Sequence, residues 1–185
     1  MQTVSENTKS AVSWSIDASH TNATFSVRHL MISNVRGEFQ KLSGTVTFDP
    51  RKPEALDVRA TIDVASISTR EEKRDEHLRS ADFFDAQNYP TLTFVSKAAK
   101  RTSDGLELTG DLTIRGTTRE IVLAVEGITP EHADPWGNVR VGATATTKLK
   151  RSDYGMVWNA ALEAGGVLVG DEVKIAIDIE LVRPK

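Results

Sequence analysis

The sequence predicts an all-β protein: about eight antiparallel strands closed into a barrel, with one short helix near residues 70–80. Three observations point there. Apolar residues recur at alternate positions, turn residues separate the runs at short intervals, and a single segment carries helix chemistry. The chain has 185 residues, 39% hydrophobic and 26% charged, the proportions of one globular domain and not of a disordered chain. Lys and Arg number 23 against 26 Asp and Glu, a formal charge of −3, which argues against a nucleic-acid partner. With no cysteine, disulfides, thiolate metal sites and cysteine nucleophiles are excluded.

The elements follow in order. Residues 1–13 read as a flexible tail and 14–185 as the barrel domain. The first residues show no basic n-region and no apolar h-region, and no apolar run reaches the roughly 18 residues of a membrane span. A cytoplasmic protein with no transmembrane segment is therefore expected. Phe25, Val27 and His29 alternate with Ser26 and Arg28, and Val46 and Phe48 with Thr45 and Thr47. Leu56, Val58, Ala60, Ile62 and Val64 alternate with Asp57, Arg59, Thr61 and Asp63. Leu92 and Phe94 begin the next run; Leu106, Leu108, Leu112 and Ile114 form another, and Ile121, Leu123 and Val125 a third. Val139, Val141, Ala143, Ala145 and Leu149 follow, and Val173 through Leu181 closes the series. This period of two marks strands with one buried and one wet face.

Turn chemistry divides the runs at Asp49–Pro53, Ser103–Gly105, Arg115–Thr117, Pro135–Asn138 and Gly170-Asp171. Thr69-Arg70-Glu71-Glu72 reads as a capping box, the Thr69 hydroxyl accepting from the Glu72 amide. The helix formers that follow to Arg79 include one strongly apolar residue, Leu78, so this helix lies outside the barrel or lids it. Phe83 and Phe84 come directly after, and Pro90 ends the segment. One-sided strands must hide their apolar faces against one another, and closure also removes exposed edges. The inward set mixes small residues (Ala60, Ala143, Ala145) with large ones (Phe25, Phe48, Phe94), which leaves part of the lumen hollow.

Catalytic signatures are missing: the chain has no G-x-S-x-G, no phosphate-binding G-x-x-x-x-G-K-[ST] and no H-E-x-x-H. Asp82 and Asp85 flank Phe83 and Phe84, but at 6% aromatic residues an open sugar cleft is not supported. Among four histidines, His29 alone falls on an inward strand phase, where it could donate a hydrogen bond to a ligand head group. His20 sits in a polar loop, and His77 has the cations Lys73 and Arg74 where metal ligands would stand, so no metal is expected. Arg151 and Asp153 read as an ion pair at the barrel mouth.

Several separated motifs occur together. They are Trp14-Ser15-Ile16-Asp17 with His20, Phe25-Ser26-Val27-Arg28-His29 and Val35-Arg36-Gly37-Glu38-Phe39. His77 through Asp85, Tyr89 through Phe94, Gly110 through Gly116, Arg151 through Gly155 and Val169 through Val173 complete the set. On these the chain resembles the YceI family of lipocalin-like, polyisoprenoid-binding proteins, from about Trp14 to Val182. Tyr154 stands where phenylalanine is usual in that family. The resemblance implies an extended eight-stranded antiparallel lipocalin-like barrel, a long apolar channel for an isoprenoid tail such as a quinone or polyprenyl chain, and a homodimer. It implies non-enzymatic storage or transport, with no cofactor beyond the bound lipid. Strand phase and the mouth positions then nominate the ligand contacts: Phe25, Val27, His29, Phe39, Phe48, Ile62, Phe83, Phe84, Phe94, Leu112, Ile114, Val141, Tyr154, Ile175 and Ile177. Two other readings stay open: a filled barrel acting as an interaction or stress-related module, and an enzyme for a hydrophobic substrate using His29 or Asp82.

Overall fold

A computed structural model describes residues 11–48, 52–163 and 165–184. The strands are β1 (Val12–Ile16), β2 (Asn22–His29), β3 (Ser33–Phe39), β4 (Leu42–Phe48), β5 (Asp57–Asp63) and β6 (Ile67–Ser68). Helix α1 (Glu72–Arg79) separates these from β7 (Thr91–Arg101), β8 (Gly105–Ile114), β9 (Thr117–Glu126), β10 (His132–Ala133), β11 (Asn138–Lys150) and β12 (Val169–Pro184). Every pairing between them is antiparallel.

The segments make a closed eight-stave barrel. β1 with β2, β3 with β4 and β5 with β6 each act as one interrupted stave, since β12 runs past both β1 and β2 and β3 pairs with both β2 and β6. The ring runs β1, β4, β5, β7, β8, β9, β11, β12 and returns to β1. Its two closing seams are unequal. β11 pairs with β12 along its whole length, from Asn138 opposite Pro184 to Lys150 opposite Glu172. It pairs with β9 only through Thr144, Ala145 and Thr146.

Alternation along the staves puts one face inside. Phe94, Leu108, Leu123, Val125 and Ala145 form one core cluster, and Trp14, Val46 and Val139 another near the ends of β4 and β12. Phe39, Val64, Ile67, Leu92, Ile114, Tyr154 and Met156 form the third, at the opposite end where α1 sits. Two glycines make room for aromatic rings. A Cβ on Gly37 would collide with the Phe25 ring across the ladder, and one on Gly110 with the Phe94 ring.

Two expectations need correction here. Val12 and Ser13 are not tail: they pair with Phe48 and Thr47, because β4 runs on beyond Val46 and its edge needs a partner. Residues 1–10 of the expected tail, and Asp49-Pro50-Arg51 of the expected turn, lie outside the described residues. The helix is capped two residues later than a Thr69 box requires. Glu71 is extended, and its carboxylate accepts from the amides of Lys73 and Arg74. Thr69 is committed elsewhere: its amide and hydroxyl both donate to Asp75, and its hydroxyl oxygen accepts from Arg74 Nε.

Candidate functional site: an apolar cavity in the barrel

The barrel is not filled. An internal cavity of about 270 Å3 lies along it, lined from one end to the other by the inward residues of the staves. Phe48, Leu56, Ile128, Val141 and Leu181 stand at the end where β1 begins and β12 finishes. Val27, Leu78, Phe83, Phe84, Leu149 and Met156 stand at the other. Between them β12 contributes Val173, Ile175, Ile177 and Ile179, and β11 contributes Ala143 and Ala145. The small side chains on β11 and at Ala60 leave the space that larger residues would close. An apolar cavity of this kind stays dry and takes apolar guests.

The α1 end carries a cap. Arg79 donates to the carbonyls of Ala65 and Ile67, tying the helix to the barrel wall. Arg115 bridges the carbonyls of Ala81 and Gly155, tying the segment after the helix to the turn after β11. Inside this frame the aromatic rings stack edge to face. Phe84 meets Phe39 at 5.7 Å, while His77 lies 5.0 Å from Phe83 and 4.7 Å from Trp158. His77 Nε2 is also 2.8 Å from Asp82. Phe83 thus faces the cavity on one side and the half-buried His77 and Trp158 rings on the other.

Of the nominated residues, Phe25, Val27, Phe39, Phe48, Ile62, Phe83, Phe84, Phe94, Leu112, Ile114, Val141, Ile175 and Ile177 line the cavity. His29 and Tyr154, nominated at the mouth, lie outside the lining. The β2–β12 ladder slips between Val27 and His29, where the partner jumps from Val173 to Val169. The slip leaves Val27 as the last lining residue of β2. Tyr154 is 1% exposed and packs in the core cluster behind the lining, with its hydroxyl unpartnered among the described residues. Burial, with the charge of Asp153 adding to it, pushes its phenol up to about 12.

The expected Arg151–Asp153 ion pair is also absent. Arg151 turns inward, donating instead to the carbonyls of Met156, Trp158, Val169 and Gly170, and it lines the cavity. Sequence reasoning missed this role because backbone carbonyls leave no trace in residue type. Leu42 and Met156 were missed as well; each sits beside a turn, where alternation is too short to read.

One polar cluster lies outside the cavity. Arg140 donates to Asp17 at 2.6 Å, to Asp134 at 2.9 Å and to Glu180, while His20 Nδ1 is 3.0 Å from Asp17. Asp17, His20 and Glu180 converge closely enough to hold a metal ion, but the Arg140 guanidinium already supplies the positive charge there. No helix among the described residues is long and apolar enough to cross a membrane.

Comparison with known proteins places this geometry. The YceI-like domain profile matches residues 14–181. The protein YceI of Escherichia coli O17:K52:H18 is 37% identical over 169 residues, covering 91% of this chain and 85% of that one. A UPF0312 protein of Staphylococcus aureus is 36% identical over 169 residues, covering 90% and 95%. Among solved structures, BcnA of Burkholderia cenocepacia superposes with a TM-score of 0.78 at 26% identity, covering 89% of this chain and 98% of its own. A polyisoprenoid binding domain from Saccharophagus degradans, at 15% identity and a TM-score of 0.65, covering 92% and 98%, shares the fold. With its profile, its relatives and its barrel in agreement, the chain belongs to the YceI-like family.

Proposed function

We propose that the protein binds an isoprenoid or similar long apolar lipid, such as a prenyl quinone, in the barrel cavity, and stores or carries it without chemical change. The observation that carries this reading is the cavity itself, an unfilled space of about 270 Å3 with aliphatic and aromatic walls. Such a wall recognises a chain by removing it from water, worth about 0.8 kcal/mol per buried methylene before the costs of association. The Saccharophagus degradans neighbour, a polyisoprenoid binding domain, supports the choice of ligand class. A homodimer belongs to the same proposal on the family resemblance alone; light scattering would read it as twice the 20.3 kDa chain.

Organic extraction of the purified protein followed by mass spectrometry tests the reading. A prenyl lipid recovered in near-stoichiometric amount is the expected result. Protein that carries no lipid and also refuses prenyl quinones in a titration overturns it.

A further inference from the structure

The outer wall of the barrel carries a recess of about 1070 Å3 that runs across β9, β11, β12, β2 and β3. Its floor is a row of small outward side chains in register: Ala124 opposite Thr146, Thr146 opposite Ala176, and Ala176 opposite Thr24. Two residues along the same strands lies a row of cations. Lys148 stands directly opposite Lys174, Lys174 opposite Ser26, and Ser26 opposite Arg36. Arg70, just after β6, adds a fourth cation. In a chain with a formal charge of −3, this patch reverses the sign locally.

The fold does not use these cations. The side chains of Arg36, Arg70 and Lys174 make no ion pair or hydrogen bond among the described residues. Lys148 meets Glu172 alone among them, at 3.8 Å and outside the recess. Two local rules are broken to place them. Like charges directly opposite on neighbouring strands weaken a sheet, and Lys148 faces Lys174 in that way. Arg70 holds a left-handed backbone with φ 62°, a conformation that costs a non-glycine residue free energy. Both departures bring positive charge to one concave surface.

We propose that this recess binds an extended acidic peptide segment of a partner protein, its carboxylates set along the Lys148–Lys174–Arg36 row. From Lys148 to Arg36 the row crosses three strand spacings, about 14 Å, which about five extended residues would span. Carboxylates at alternate positions of such a segment all point the same way, toward the cations. Glu38 and Glu107 stand at the two ends of the floor, where they repel an unbroken polyphosphate but accept the neutral residues of a peptide. The site lies outside the barrel and is independent of what the cavity holds.

Fluorescence anisotropy of the full chain with a labelled nonapeptide alternating glutamate and alanine tests it. That peptide should bind at least about tenfold tighter than its glutamine–alanine counterpart, and should weaken as salt is added. Lys174→Glu and Arg36→Glu should each loosen it at least about fivefold. Lys100→Glu, the same charge change on β7 outside the recess, should alter it less than about twofold. If the recess variants do not fold, the glutamate–glutamine comparison on the unmodified protein still decides. Equal affinity for those two peptides overturns the proposal, as does equal loss from Lys100→Glu and Lys174→Glu. Tighter binding of polyphosphate, or of phosphatidylglycerol vesicles, overturns the peptide as occupant. So does a dimer in light scattering that Lys174→Glu dissociates, since a second copy would then fill the recess.

Discussion

Tyr154 places a phenol in a core position and gives its hydroxyl nothing to bond with among the described residues. An unsatisfied buried hydroxyl costs about 1–3 kcal/mol, while the ring packs as phenylalanine would. Tyr154→Phe should therefore raise stability by about 1 kcal/mol, read as a higher urea midpoint at unchanged slope. Gly110 makes the opposite case. Its missing side chain is the seat of the Phe94 ring, so Gly110→Ala should drive that ring into the cavity. The expected cost is about 1–3 kcal/mol, with weaker lipid uptake in the same sample. Ala143, which faces the cavity, has room that Gly110 lacks. Ala143→Leu should reduce bound lipid in the extract while changing the melting temperature little.

Among the elements, α1 shows how local rules yield to a neighbour. Asp75, on the buried face of the helix itself, takes the Thr69 amide and hydroxyl, and the cap passes to Glu71. Glu71→Ala should destabilise the protein by about 1 kcal/mol in chemical denaturation. The strands were legible because each has one wet face: Val173 to Leu181 reads inward in sequence and stands inward in the barrel. The helix was legible in place though not in its cap. The break between β1 and β2 was legible as a polar loop, but its partners were not. Asp17 and His20 look like an ordinary polar loop until Arg140, 123 residues away, and Glu180 close around them. Arg151 escaped for a related reason, since its partners are carbonyls that belong to no particular residue type. His29 kept the strand phase but lost its place to a ladder slip, which periodicity cannot register.

For the molecule as a whole, the Arg140 cluster binds the interrupted first stave to the last two. Hydrogen bonds from Ser19, then Arg140 and His20, hold the Asp17 carboxyl well below the usual carboxylate range. Burial pushes Asp134 up, but hydrogen bonds from Asn138, Arg140 and the Trp136 amide outweigh it and hold this carboxyl low as well. Groups held low when folded stabilise the protein fully above the unfolded carboxylate pKa and lose that contribution as pH falls below it. Arg140→Met should accordingly lower the melting temperature at pH 7, and its deficit should shrink as pH drops below about 4.

The unequal seams of the barrel set where it breathes. A stave stitched to β12 along its full length, but to β9 only by the Thr144–Thr146 ladder and the Thr147 hydroxyl on the Val122 carbonyl, behaves as a door hung on one side. In deuterium labelling, β11 amides directed at β12 should be the slowest to exchange, and those beyond Thr146 that face away from β12 far faster. If the side wall parts before either end does, a long tail can slip in edgewise, with no need to thread past the rings beneath α1.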